Sequence, residues 1–189
     1  MTFHETRSAK EEGGIRTVDI VYTALAVALI AICSWINIPT AVPFTLQTFA
    51  VFAVLMMLGS NRGLAAITVY VIMGAIGIPV FAGFSGGMGI ILGSTGGYIL
   101  GFLFIGLIYM LATKMFGTKP AVEIISLVIG LAVCYAFGTA WFMYVYIRNT
   151  GPVGIMTVLS WCVFPFIIPD IAKLALAFVI SRRVRKVIN

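Results

Sequence analysis

A carboxylate and an ammonium group lie three residues apart inside an apolar stretch near the C-terminal end of the chain. Asp170 and Lys173 belong to "CVFPFIIPDIAKLALAFVI", residues 162–180, which is otherwise hydrophobic almost throughout. Each charge costs roughly 2.5–3.5 kcal/mol at the centre of a membrane-spanning helix. Because residues three apart share a helical face, this spacing predicts one hydrogen-bond acceptor and one donor side by side.

Two interpretations of this pair remain open. Either the charges neutralise each other and fix the register of the helix, or they form a polar ligand site inside a helix bundle. Ionisable residues within a membrane usually mark a functional site, and this pair suits a group with both N–H and C=O, such as a urea or an amide. An ion-coupled porter is disfavoured because it would place several acids along a path, whereas Glu123 lies at the predicted cytoplasmic end of a span.

The composition indicates that a membrane surrounds most of this chain. Of its 189 residues, 61% are hydrophobic and 10% are charged, whereas soluble domains have about 45–50% apolar and about 25% charged residues. We predict a polar N-terminal tail at 1–17 and one membrane domain at 18–189. The net charge of +6 does not indicate nucleic-acid binding, because the cations cluster at the ends of apolar runs, where they meet the lipid bilayer.

The apolar segments predict an all-α integral membrane protein with six transmembrane helices. Because proline disrupts a helix interior but suits its first turn, the last apolar stretch is divided before Pro169, which leaves a short outer segment at 154–164. The sequence "GSNRG" predicts a tight turn between the second and third spans. The predicted spans are 18–37, 44–59, 64–80, 97–114, 121–147 and about 169–186.

The distribution of basic residues predicts that both termini are cytoplasmic. In that topology, all Lys and Arg residues outside the membrane fall on the inner side except Arg148. Such an excess of cations is typical of the cytoplasmic side.

Polar and glycine-rich segments face the charge pair in this topology. Thr45, Gln47 and Thr48 stand at the outer start of the second span, and "VFAGFSGGMGIILGSTGGY" joins the third span to the fourth. Glycine lets backbone approach a ligand closely, and non-helical backbone at membrane depth is tolerated only where it is buried or lines a cavity. We therefore predict a lid over an outward-facing pocket. The loop lacks the lysine of a phosphate-binding P-loop.

Small residues recur at the spacing of helix contacts. Glycines of the fourth and fifth spans predict internal packing. Ala24 and Ala28 share one face of the first span, and they serve either internal packing or the docking of another membrane protein. The single histidine, His4, and the three cysteines do not fit a metal site, so neither a metal nor another cofactor is expected.

The motifs taken together resemble the BioY family, the biotin-specific S components of energy-coupling factor (ECF) transporters. They read "VPFTLQTFAV", "GIPVFAGFSGG", "GSTGGYILGF" and "PDIAK", and the resemblance extends from "ALAVALIA" to "PDIAKLALA". It implies six helices, a biotin pocket open to the outside of a prokaryotic cytoplasmic membrane, and binding of the ureido ring by Asp170 and Lys173. It also implies that a transmembrane coupling subunit and ATPase subunits supply the energy.

Two positions depart from the family pattern. Ser94 replaces the proline of "GPTGGY", and Met88 stands where some relatives have arginine after "SGG". The partner of the biotin carboxylate is therefore open. Arg148, backbone N–H groups of the glycine-rich loop and solvent are the alternatives.

From the residues and the resemblance we predict a biotin-capturing transport component, not an enzyme. The chain has no nucleotide-binding motif, so it should not hydrolyse ATP itself. Asp170 would accept the ureido N–H bonds and Lys173 would donate to the ureido oxygen. The first-span face of Ala24 and Ala28 would dock the coupling subunit. The remaining expected binding residues are Thr45 and Gln47 at the rim, the walls Phe81, Phe84 and Tyr98, and Gly86.

Three other functions fit the sequence less well. An S component for thiamin or riboflavin would keep the fold and change the pocket. An intramembrane enzyme would need a nucleophile with a base, paired acids or a metal cluster. A structural membrane protein without a ligand would leave the charge pair and the glycine-rich loop unexplained.

Overall fold

The computed structural model describes residues 17–40 and 42–188. The predicted tail lies, apart from Thr17, outside the described residues, together with its basic residues and His4. Within the described part, two-residue strands β1 (Asn37–Ile38) and β2 (Phe44–Thr45) pair antiparallel between the first two helices. The helices are α1 Thr17–Trp35, α2 Gln47–Leu58, α3 Ser60–Ala75, α4 Met88–Leu92, α5 Gly96–Phe116, α6 Pro120–Asn149, α7 Ile155–Cys162 and α8 Phe164–Ile188.

Four helical stretches of the described chain are long and apolar enough to cross a membrane. They are Thr17–Trp35, Gly96–Phe116, Pro120–Asn149 and the combined stretch Ile155–Lys186. The prediction of a helical membrane protein is confirmed to this extent, with four such stretches among the described residues.

The second predicted span, α2, is short and almost entirely enclosed. It has 12 residues, fewer than the roughly 20 that cross a bilayer as a helix. Ala50, Val51, Phe52 and Leu55 are fully buried, and α2 lies against α1, α3 and α8. A helix that is hydrophobic on all sides is typically surrounded by protein, so α2 forms the central part of the core.

The predicted tight turn is present, but it is shorter than the five residues predicted. Gly59 alone reverses the chain with φ of +80°, a conformation that glycine adopts without steric cost, and α3 begins at Ser60. The third predicted span also ends earlier, at Ala75 rather than 80. The residues that follow α3 lie beside the start of α2, where the Val80 carbonyl accepts from Tyr70, the partner of Gln47.

The predicted helix boundary at Pro169 is wrong. The short segment is present as α7, but the chain turns at Val163 and α8 begins at Phe164. Pro165 then lies in the first turn, where proline is tolerated. Pro169 has no N–H to donate to the carbonyl of Pro165 in this first turn. The helix therefore loses one hydrogen bond near its N-terminal end and continues.

Short helical pieces occur in the predicted glycine-rich lid, which is therefore not wholly irregular. A 3-10 turn covers Ala82–Phe84 and α4 covers Met88–Leu92. Gly87, with φ of +98°, donates its N–H to the Gly74 carbonyl at 2.6 Å. This bond ties the segment to the end of α3.

The glycines of α5 and α6 lie in the contact between these two helices. A Cβ atom on Gly101 would be 2.5 Å from the Cys134 sulfur, and one on Gly130 would be 2.9 Å from the Ile105 Cα. Both distances are shorter than any normal contact. The predicted packing role of these glycines is confirmed, because only their lack of a side chain lets the helices approach so closely.

A buried acid joins the helices at the far end of α8. The Glu123 carboxylate accepts hydrogen bonds from the Tyr109 hydroxyl at 3.1 Å and from Arg185 at 2.8 Å. Arg185 also donates to the Met56 carbonyl. This cluster connects α2, α5, α6 and α8 at the end of the bundle opposite to Asp170.

We expect Gly130→Ala to lower the free energy of unfolding by about 1–3 kcal/mol, the usual cost of overpacking a tight core. The backbone of α5 stands where the new methyl group would lie, so side-chain rotation cannot relieve the clash. Denaturation in mixed detergent micelles measures the effect. Gly89→Ala is the matched control, because Gly89 is also helical and has nothing within 4 Å of its missing Cβ. Equal stability of the two variants would contradict this account of the α5–α6 contact.

Candidate functional site

A cavity of about 290 Å³ lies among the ends of α2, α5, α6 and α8 and the segment that follows α3. Its walls are mainly apolar, with a few polar side chains gathered on one side. Ligand sites commonly combine much apolar surface with a small number of placed polar groups. The polar side contains Asp170 and Lys173.

The two charges form a buried ion pair. Lys173 Nζ lies 2.8 Å from Asp170 Oδ1, and the two residues are only 7% and 2% exposed. The i, i+3 spacing along α8 brings them to one face, as the sequence predicts. A charge pair at this depth is tolerable only when further hydrogen bonds satisfy its remaining atoms.

Side chains from two other helices supply those bonds. The Thr48 hydroxyl of α2 donates to Asp170 Oδ1 at 2.8 Å and accepts from Lys173 Nζ at 3.2 Å. The Tyr135 hydroxyl of α6 donates to Asp170 Oδ2 at 2.5 Å. The Phe44 ring lies 4.4 Å from Lys173 Nζ, a distance at which a ring face attracts a cation. The pair is thus held by residues far apart in sequence.

A second series of hydrogen bonds begins at Gln47, the first residue of α2. The Gln47 amide nitrogen donates to the Tyr70 hydroxyl at 2.8 Å, and that hydroxyl donates to the Val80 carbonyl at 3.0 Å. Ser34 of α1 reaches the same carbonyl at 2.5 Å. These bonds hold the start of α2 against the segment that follows α3.

Two aromatic side chains form walls of the cavity, and each packs against a glycine. The Phe81 ring occupies the space beside Gly74, and the Tyr98 ring occupies the space beside Gly138. The Tyr98 hydroxyl also shares a hydrogen bond of 3.1 Å with Thr139. Both rings line the cavity.

Comparison with known proteins places this site in a family context. The family model described as "BioY family" matches residues 5–189. The chain belongs to the BioY family.

Relatives and a solved structure support the assignment. The probable biotin transporter BioY of Pyrococcus horikoshii is 38% identical over 173 residues, covering 90% of this chain and 98% of the relative. The biotin transporter BioY of Thermotoga maritima is 37% identical over 169 residues, covering 88% and 95%. A crystal structure described as the S-component for biotin from an ECF-type ABC transporter superposes with a TM-score of 0.78, at 26% identity, covering 92% and 95%.

Not all binding residues predicted for this BioY-family chain lie at the cavity. Phe84 is 64% exposed and stacks on Trp35 with ring centroids 4.8 Å apart. Gly86 lies against the Ile78 carbonyl, and Arg148 is exposed over the Tyr144 ring. Those that line the cavity are Thr45, Gln47, Phe81, Tyr98, Asp170 and Lys173.

Sequence reasoning did not find Tyr135, Tyr70 or Phe44. The available signal was chemical, since a tyrosine within an apolar span needs a partner for its hydroxyl group. That signal does not identify the partner, because Tyr135 and Asp170 are 35 residues apart and on different helices.

The predicted docking residues lie in a separate groove. Ala24 and Ala28 line an apolar groove between α1 and α3 that also contains Ala65 and Val69. Arg62 and Asp19 form an ion pair of 2.5 Å at one end of this groove. The groove does not include the charge pair of α8.

We expect Tyr135→Phe to lower the free energy of unfolding by about 1.5–3 kcal/mol, because it removes a hydrogen bond to a buried charge. Denaturation of the ligand-free protein in detergent measures the loss. Tyr144→Phe is the matched control, since Tyr144 lies on the same helix and its side chain is exposed. A Tyr135→Phe variant as stable as the control would contradict the role of Tyr135 in holding the carboxylate.

Proposed function

We propose that this chain is the biotin-capturing S component of an ECF-type vitamin importer and not an enzyme. The observation that carries the proposal is the buried Asp170–Lys173 pair beside an apolar cavity, in a chain of the BioY family. Its relatives are named as biotin transporters. These names favour biotin over thiamin and riboflavin.

The chemistry of the pair suits the ureido ring of biotin. This ring is neutral and presents N–H and C=O groups on adjacent atoms. Asp170 accepts an N–H bond and Lys173 donates to the carbonyl oxygen, while the apolar walls enclose the remainder of the bicyclic ring and the tail. In a site shielded from water each of these hydrogen bonds is stronger than it would be in solvent.

The biotin carboxylate needs a partner away from Asp170, whose charge would repel it. Arg148 does not line the cavity, which favours the other two expected partners, solvent and the backbone N–H groups of the glycine-rich segment at 80–98. Nothing in this arrangement calls for a metal or another cofactor.

The membrane arrangement follows from the same elements. We propose six membrane segments in the domain at 18–189, formed by α1, α2, α3, α5, α6 and α7–α8, with both termini in the cytoplasm of a prokaryotic cell. The cavity then opens outward, and the segment with α4 serves as its lid. The distribution of basic residues supports this topology.

Energy for import would come from other chains. We propose that a transmembrane coupling subunit docks in the groove that contains Ala24 and Ala28 and that its ATPase subunits hydrolyse the nucleotide. Small residues along α1 would let a partner helix approach closely.

We expect Asp170→Asn and Lys173→Met to weaken biotin binding by the purified chain about ten- to a hundredfold, because each removes a hydrogen bond from a buried charge. Equilibrium binding of labelled biotin in detergent measures it. Glu123→Gln is the matched control, since it neutralises an equally buried acid at the other end of α8. Tight binding that is indifferent to both site variants would assign the pair a structural role, and no binding by the unaltered chain would refute the biotin proposal.

We expect the double substitution Ala24→Leu and Ala28→Leu to abolish co-purification with the energising module and biotin uptake by cells. Biotin binding by the isolated chain should persist, because the groove and the cavity are separate. Leu25→Phe is the control, since this substitution also adds bulk on α1 but at an exposed position outside the groove. Normal assembly of the double variant would exclude this groove as the docking surface.

A further inference from the structure

The hydrogen-bonding capacity of Asp170 is nearly filled by the protein itself. Its Oδ1 atom accepts from Thr48 and Lys173, and its Oδ2 atom accepts from Tyr135. A carboxylate offers about four lone-pair sites. One site, on Oδ2, therefore remains for a ligand.

The ureido ring of biotin has two N–H groups. With the biotin carboxylate ionised, these are the only conventional hydrogen-bond donors of the molecule. Asp170 can take one of them at its remaining site, and Lys173, which has only donors, cannot take the other. A buried donor without a partner is costly, so the cavity needs a second acceptor.

The Gln47 side chain offers such an acceptor. Gln47 is 6% exposed and lines the cavity. Its amide nitrogen bonds Tyr70, whereas its amide oxygen has no hydrogen-bond partner among the described residues. Gln47 lines the same cavity as Thr48, Asp170 and Lys173. Its amide therefore borders the space that a ligand of the charge pair would fill.

Tyr70 determines which end of the Gln47 amide is free. The Tyr70 hydroxyl has a single hydrogen, and the Val80 carbonyl lies 3.0 Å away to accept it. The Tyr70 oxygen then accepts from the Gln47 amide nitrogen, which leaves the amide oxygen as the unpaired end. Tyr70 is fully buried, and its ring packs edge-to-face on Phe81 with centroids 5.5 Å apart, so this orientation is held firmly.

We propose that the Gln47 amide oxygen accepts the second ureido N–H of biotin and that Tyr70 is the positioning residue that holds this oxygen toward the ligand. The inference rests on the proposed function and assigns each polar group of the ureido ring to one residue. One N–H goes to Asp170, the other goes to Gln47, and the carbonyl goes to Lys173. The site then selects a cyclic urea over a cyclic amide or carbamate, which have one N–H fewer.

The test compares biotin with its two cyclic-carbamate analogues, in each of which one ureido N–H is replaced by a ring oxygen bonded to the carbonyl carbon. The full-length purified chain should bind both analogues about five- to fiftyfold more weakly than biotin, because each leaves one buried acceptor unpaired. Gln47→Met keeps the side-chain length and removes the amide. It should lower biotin affinity by a similar factor, yet bind one of the two analogues as well as the unaltered chain does.

Tyr70→Phe tests the positioning role. It should also weaken biotin binding and reduce the discrimination against that same analogue. Combined with Gln47→Met it should cause no additional loss, since Tyr70 acts through Gln47. Tyr109→Phe is the matched control, because it removes the hydroxyl of another fully buried tyrosine that is distant from the cavity. Its biotin affinity should equal that of the unaltered chain.

The outcomes separate this inference from the proposed function. If Gln47→Met leaves biotin affinity unchanged, or weakens biotin and both analogues by one common factor, then Gln47 is not the second acceptor and the biotin proposal stands. If the unaltered chain binds no biotin, both proposals fail. A loss confined to biotin and one analogue supports the inference.

Discussion

The burial of two opposite charges at the start of α8 is the constraint on which the rest of the structure depends. Removing one member of such a pair leaves an uncompensated charge, at a cost of about 3–5 kcal/mol. The pair is therefore tolerable only while Thr48 of α2 and Tyr135 of α6 remain in hydrogen-bond contact with it. Three helices must keep their relative positions for one carboxylate to stay satisfied.

The helix contacts that maintain these positions are made by small residues. Gly101 and Gly130 bring α5 and α6 together, and α2 is enclosed by protein on nearly all sides. At the far end of α8, Glu123 joins the same helices through Tyr109 and Arg185. The bundle is thus fixed near both ends of α8, and the cavity lies at the end where polar groups remain available to a ligand.

The same hydrogen bonds that make the charges tolerable also limit what they can bind. Each protein donor that bonds Asp170 occupies one acceptor site that a ligand could otherwise use. The bonds that stabilise the empty site therefore reduce the number of ligands that it can bind. A cavity with few free polar atoms, each in a defined orientation, is selective because a wrong ligand leaves one of them unpaired. In the proposed binding mode, Gln47 of α2 and Tyr70 of α3 contribute to that selectivity although neither carries a charge.

The sequence by itself determined the membrane class, the family resemblance and the shared face of Asp170 and Lys173, because composition and i, i+3 spacing act within a single element. It also indicated Thr45, Gln47, Phe81 and Tyr98, which line the cavity. Only the tertiary structure decided that Tyr135 supports Asp170, that Phe84 and Arg148 lie elsewhere, and that α8 continues through Pro169. Those outcomes depend on contacts between helices far apart in the chain and on which backbone groups already lack partners, and neither is encoded in local spacing.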